Sequence, residues 1–210
     1  MANWILKIYD QDGKHGGSLL STIDSTTYTN PSVTPFPIDG GFEIETIPPG
    51  EPVSMKFRGR NDLLQIQVRY VLELIEDSTQ LFYGPVVQCP FLDSVGAGPL
   101  DSDADALELF ICEGPRRLAK ESYVSNYFRE EYMHVGVIAL QLGAFLHPAI
   151  LVDSLNFELS DVPTTVANQV RYDYVRQGED VDTAIKALAD EFDYDYWYDA
   201  EGIVYFTKVV

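Results

Sequence analysis

Residues 179–206 change hydrophobic period part-way along, and no other feature constrains the fold of this chain as tightly. Val181, Ala184, Ile185, Leu188, Ala189 and Phe192 recur at helical spacing, which sets one apolar stripe against a core. Asp180 stands just ahead of the stripe, where its carboxylate can accept from first-turn amides, and Asp182 adds charge at the favourable end. The period then shortens. Tyr194, Tyr196 and Tyr198 alternate with Asp195, Trp197 and Asp199, a turn follows at Asp199-Ala200-Glu201-Gly202, and residues 203–206 resume an extended apolar run. The pattern predicts a helix feeding a hairpin, a unit whose apolar face needs another layer behind it.

The first half of the chain reads as strands and turns. Residues 4–9 form a first strand, and Asp-Gly and Gly-Gly pairs mark residues 10–17 as a turn. Asp10 and Asp12 lack the later carboxylates and the bidentate Glu of a calcium loop. A second strand over 19–28 leads into a Thr/Pro-rich connector at 29–37, where ladder bonding cannot persist. Strands at 42–47 and 52–57 flank Pro48-Pro49-Gly50, and residues 58–62 form an exit loop. Alternation over 64–75 predicts the longest extended segment, and 81–87 returns from it, interrupted by Gly84-Pro85. Residues 91–105 read as an acidic loop and 106–112 as a strand rejoining the first set.

These strands predict an antiparallel β-barrel or sandwich domain over residues 1–112. Beyond it, Pro115-Arg116-Arg117-Leu118-Ala119-Lys120 is a basic connector. A second amphipathic helix is expected from Val135 to Leu146, closed by His147-Pro148, then an extended run over 151–159, a turn region at 161–168 and a strand over 170–175. Residues 113–210 are therefore a smaller α/β domain with two amphipathic helices and a C-terminal hairpin, and the fold class is α+β.

Charge excludes several functions. The 210 residues carry 33 Asp and Glu against 14 Lys and Arg, a formal net charge of -19. Such a surface repels nucleic acid and anionic membrane, so no sequence-specific nucleic-acid binding is expected. Adaptation to high salt is the other account of the same charge. No apolar run is long enough to span a membrane, and the start of the chain reads as a strand, not a secretory signal. Cys89 and Cys112 sit in apolar surroundings and read as small packed side chains.

The chemistry-bearing residues do not assemble into a motif. His15, His134 and His147 lack ligand neighbours at zinc spacing, and no nucleophile elbow, phosphate loop or dinucleotide fingerprint occurs. Asp101, Asp103 and Asp105 alternate without a completing ligand, and with so many carboxylates a pair such as Glu43 and Glu45 carries little meaning. No cofactor, metal or catalytic residue is expected. The aromatic tail at Tyr194, Tyr196, Trp197 and Tyr198 leaves a non-catalytic glycan- or receptor-binding module, and a carbohydrate hydrolase, as alternative readings.

The order of parts resembles that of tailed-phage baseplate hub and tail-tip proteins. In that pattern a gly-glu-x-val-trp-x-ala-leu helix start precedes a hydrophobic strand, an acidic-Gly turn and a closing strand; residues 178–206 match it, with Asp182 where Trp often stands. Residues 4–13 and Leu81-Phe82-Tyr83-Gly84-Pro85-Val86 are similar to early strands of the same proteins. The resemblance implies a structural virion protein of the tail tip or baseplate, assembled in the host cytoplasm. It implies a homo-oligomeric ring, a trimer as in hubs or a hexamer as in tube and distal-tail proteins. Tail tube, distal-tail, tape-measure and other baseplate proteins are its implied partners. Charge contrast picks Arg58, Arg60, Arg69, Arg116 and Arg117 as contact residues, donating to acidic neighbours.

Overall fold

Alternating residues in the first half pair as antiparallel strands, since each strand has one apolar face to bury and a short turn behind it. The structure, a computed structural model, describes residues 3–26, 38–60, 64–89, 108–124, 128–130, 133–159 and 174–208. The strands are β1 (Trp4–Tyr9), β2 (Leu19–Asp24), β3 (Ile38–Ile47), β4 (Glu51–Gly59), β5 (Val71–Glu76), β6 (Thr79–Gln88) and β7 (Glu108–Glu113). They form one seven-stranded sheet in the order β2-β1-β5-β6-β7-β4-β3, antiparallel throughout. Between β1 and β2, the expected turn holds a short helix, α1 (Gly13–Gly16).

The sheet curls over its own core. Trp4 on β1 meets Phe42 on β3 with ring centroids 5.1 Å apart, and Phe57 and Phe110 continue that row. Leu6, Ile8 and Ile23 from one arm thereby share a core with Met55, Phe57 and Phe110 from the other. Among the described residues, the edge strands β2 and β3 each pair on one side only.

The second half supplies α2 (Arg116–Lys120), β8 (Phe128–Glu130), α3 (Val135–Gly143), β9 (Tyr174–Arg176), α4 (Val181–Phe192), β10 (Tyr194–Tyr198) and β11 (Val204–Lys208). β10 and β11 form the expected hairpin, and β8 pairs with β9. Asp180 caps α4 as its position predicts: one carboxylate oxygen accepts from the Thr183 amide at 2.8 Å. A second core joins Ile138 and Leu142 of α3, Ile185 and Leu188 of α4, and Tyr198 and Phe206 of the hairpin. Tyr9, Val71 and Tyr83 enter it from the sheet. Strand β5 is thus buried on both faces, with Leu72 and Leu74 turned to the sheet's own core and Val71 to the other.

Several expectations are corrected. The long strand over 64–75 is short: only Val71–Glu76 is strand, because Gln65 and Arg69 adopt positive φ while Leu64 and Ile66 plug the sheet core. Gly84-Pro85 does not interrupt β6, which runs through both. Gly84 is required there because a Cβ would stand 1.9 Å from the Glu113 carbonyl oxygen on β7. The basic connector is a short helix, α2. The second helix stops at Gly143, ahead of His147-Pro148, and continues as tight turns. The extended run over 151–159 is broken by a 3-10 turn at Ser154–Asn156, with a single parallel bridge on either side, Leu151 to Ile203 just ahead of β11 and Phe157 to Phe206 within it. Cys112 is buried and Cys89 half-buried, both free thiols as expected. The connector at 29–37, the acidic loop at 91–105 and the turn region at 161–168 lie outside the described residues.

Candidate functional site

Two ionic junctions tie the curled sheet to the helical half. Gly114 makes the first feasible. A Cβ there would meet the Pro52 carbonyl oxygen at 1.7 Å, so only glycine lets the chain leaving β7 pass against the start of β4. Arg116, at the head of α2, then lies within reach of Glu51. Its Nε and Nη2 donate to Glu51 at 2.6 and 2.9 Å, Nη1 donates to Asp182 at 3.0 Å, and Nη2 also donates to the Tyr196 carbonyl at 3.1 Å. The Tyr196 and Tyr198 rings flank the guanidinium at 5.0 and 5.4 Å, and their hydroxyls are hydrogen-bonded to each other.

Burial opposes the Arg116 charge, yet the Glu51 hydrogen bonds and the Asp182 charge hold it more firmly protonated than usual. Asp182 goes the other way. Burial pushes its carboxyl up, with Arg116 only partly offsetting this because Glu51 takes the bidentate side of the guanidinium.

The second junction is built around Glu73 on β5. It accepts from Lys7 at 3.0 Å, Lys14 at 3.1 Å and the Tyr9 hydroxyl at 2.9 Å. Burial alone would raise the Glu73 carboxyl, but these donors outweigh it and hold it below the ordinary value. Lys14 also donates to Gln80, whose amide reaches the Ala200 carbonyl in the hairpin turn. Tyr83 stands beside this cluster: its hydroxyl accepts from the Lys14 amide at 2.9 Å. Its ring fills the space where a Cβ on Gly202 would come within 2.4 Å, and Gly202 has φ +78°.

Both junctions are salt-bridged anchors between buried or half-buried side chains. Among the described residues, no group of three or more His, Cys, Asp and Glu side chains could hold a metal ion. No helix of these residues is long and apolar enough to cross a membrane.

The five arginines singled out by charge occupy different settings. Arg116 spends its donors inside the chain. Arg117 pairs with Glu121 at 2.9 Å and more loosely with Glu113 at 3.6 Å. Arg58 is exposed on β4, and Arg60 is half-buried just past its end. Arg69 holds a left-handed backbone at φ +75°. Arg69 and Arg117 line the same surface groove, of about 300 Å³, which also holds Val68, Val87 and His147. Glu51 and Glu73 each read locally as one more surface carboxylate and Asp182 as first-turn charge on a helix, so none of the three shows in the sequence as a partner of a buried cation. Their signal was burial, which the alternation of β5 and the helical stripe of α4 leave ambiguous.

An α+β chain with a curled antiparallel sheet leading into a helix-hairpin unit is the class these observations define. No protein-family model matches the sequence, and no curated protein matches it. Solved structures do share the fold. All of the chain, 100%, aligns with 55% of the prophage MuSo2 43 kDa tail protein from Shewanella oneidensis, at a TM-score of 0.56 and 12% identity. The tail protein from Neisseria meningitidis MC58 is similar over 97% of this chain and 50% of its own, at a TM-score of 0.51 and 10% identity. The chain spans about half the length of these two proteins.

Proposed function

We propose that this chain is a structural component of a phage-type tail, at the tail tip or baseplate hub. The observation that carries the reading is fold likeness to tail proteins along the whole chain, so that sheet and helix-hairpin unit are matched together. In this reading residues 1–112 form the ring-building domain and residues 113–210 the hub-like one. Copies assemble as a trimeric or hexameric ring at the distal end of the tail tube, touching tube, distal-tail, tape-measure and other baseplate proteins. The net charge of -19 gives the ring a wall that repels DNA during ejection. The role is non-enzymatic, and the location is the virion tail after assembly in the host cytoplasm.

Mass photometry of the purified protein, paired with negative-stain imaging, tests this directly. Rings of three or six copies with a central opening are expected. A single species at monomer mass across the concentration range, in low and high salt, would sink the assembly reading.

A further inference from the structure

We propose that Leu155 and the groove beside it dock a partner protein, through a segment whose large apolar side chain is flanked by lysines or arginines. Among the described residues Leu155 is the most exposed large apolar side chain, at 88%. It sits on the 3-10 turn at Ser154–Asn156. Its neighbours in the segment go inward: Phe157 is buried in the helical core, and Val152 and Leu159 pack against that core. The turn is braced at both ends. The Asp153 carboxylate accepts from the Leu155 amide at 3.0 Å, and the Asn156 amide donates to the Asp153 carbonyl at 3.0 Å. Ahead of the turn the Leu151 amide donates to the Gly202 carbonyl at 2.9 Å, and behind it the Glu158 amide donates to the Phe206 carbonyl at 2.8 Å. Backbone held this firmly presents Leu155 with little ordering left to do on binding.

The groove, of about 570 Å³, is lined by Ser154, Leu155, Phe157, Glu158, Leu159 and Thr207. Leu151, 38% exposed, adds apolar surface at the head of the same segment. Thr207 carries the groove onto the outer face of the hairpin, where it shares a side of β11 with Tyr205 and stands opposite Asp195. Tyr205 stacks on Trp197 across the strands with ring centroids 5.0 Å apart, and neither ring belongs to the two cores. Leucines beside half-exposed aromatic rings, with a concavity between strand and turn, make an apolar centre of the kind that proteins bury against each other. Phe157 already bridges to Phe206 along β11, so a partner meets side chains here and does not add a strand.

Charge around this apolar centre selects the occupant. Glu158 lines the groove, Asp153 holds the turn, and exposed Asp195 stands across from Thr207. The engaged oxygens of Asp153 and Glu158 take neutral amide donors, from Leu155 and Lys208, which leave the carboxylate charge in place. The Tyr205 hydroxyl is pushed up to about 12, by burial first, then by its hydrogen bond to Asp199 and the charges of Asp199, Glu201 and Asp153. A second copy would bring a net charge of -19 to this rim. Cations flanking an apolar anchor match it. The surface therefore serves a partner unlike the chain itself, beyond the contacts between copies that a ring requires.

The test pans a yeast-displayed library of random peptides on the immobilised full chain, after depletion on the Leu155→Asp variant. Enriched peptides should set a large apolar residue beside lysine or arginine. Labelled with fluorescein and read by anisotropy, they should bind the wild type at least about tenfold tighter than Leu155→Asp. The added carboxylate would itself draw cations in, so that loss reports the apolar anchor. Asp195→Lys, which reverses the charge and leaves Leu155 alone, should weaken binding at least about threefold. Leu20→Ser, at an exposed leucine on β2, should stay within about twofold of wild type. Leu155 is a surface residue, so the Leu155→Asp melting temperature should hold to within about 2 °C, which separates a lost contact from a lost fold. Enrichment of acidic or uncharged peptides, equal binding by every variant, or no Leu155-dependent enrichment overturns the proposal. So does a wild-type assembly that sedimentation velocity shows to be lost in Leu155→Asp, since that gives the groove to a second copy. A wild type that stays monomeric removes the ring reading and leaves the peptide result to stand or fall by itself.

Discussion

Arg116 is a cation with two carboxylates to satisfy, and its loss is not equivalent to the loss of either partner. Removing one side of a buried pair strands the other in a poorly hydrated place, which costs roughly 3–5 kcal/mol. Arg116→Met leaves Glu51 and Asp182 facing each other, and it is expected to lower the unfolding free energy by about that amount. Asp182→Asn keeps an acceptor for Nη1 and removes a charge that burial already disfavours. Its stability should stay within about 1 kcal/mol of wild type. Urea denaturation of both variants at neutral pH checks the asymmetry, and equal losses would contradict it. Nothing local in the sequence distinguishes Arg116 from Arg117, yet one is committed inside the chain and its neighbour to the surface.

Among the elements, α4 is the most legible and β5 the least. The apolar stripe of α4, its Asp180 cap and the period change after Phe192 all appear in the structure as the sequence predicts. Thr183 reinforces the cap, its hydroxyl donating to the second Asp180 oxygen at 2.8 Å. Asp180→Ala should therefore cost about 1 kcal/mol, seen as a lower thermal midpoint with the far-ultraviolet spectrum unchanged. A midpoint equal to wild type would mean the cap is satisfied some other way. By contrast, alternation over 64–75 predicts one long strand, and the structure keeps only its last part. Alternating burial is as well served by a turn that plugs Leu64 and Ile66 into a core as by a ladder. The distinction lies in the positive φ of Gln65 and Arg69, which neither residue advertises. The second helix was legible in type but not in length. Both its faces are covered, so its stripe does not show where it ends.

At the scale of the whole molecule, the two junctions give acid opposite effects. Glu73 is held below its ordinary value of 4.5, so its contribution is fully present above that value and fades as pH falls through the lower folded one. Asp182 is held above its ordinary value of 3.8, so it favours the fold below that value and loses this as pH rises through the higher folded one. Glu73→Gln should therefore be less stable than wild type near neutrality, and the gap should narrow as pH falls from about 5 to about 3. Denaturant melts across that range check the sign, and a gap that widens on acidification would refute the Glu73 assignment. The sequence by itself determined the strand-rich first half, the helix-hairpin ending, the Asp180 cap and the acidic surface, since periodicity, turn chemistry and charge are all local properties. Tertiary structure alone decided that Arg116 would meet Glu51 and Asp182, 65 and 66 residues away, and that β5 would be buried on both faces. Those outcomes depend on which surfaces fold against each other, and the free energy of burying a charge or a strand face is set by neighbours that no local window of sequence contains.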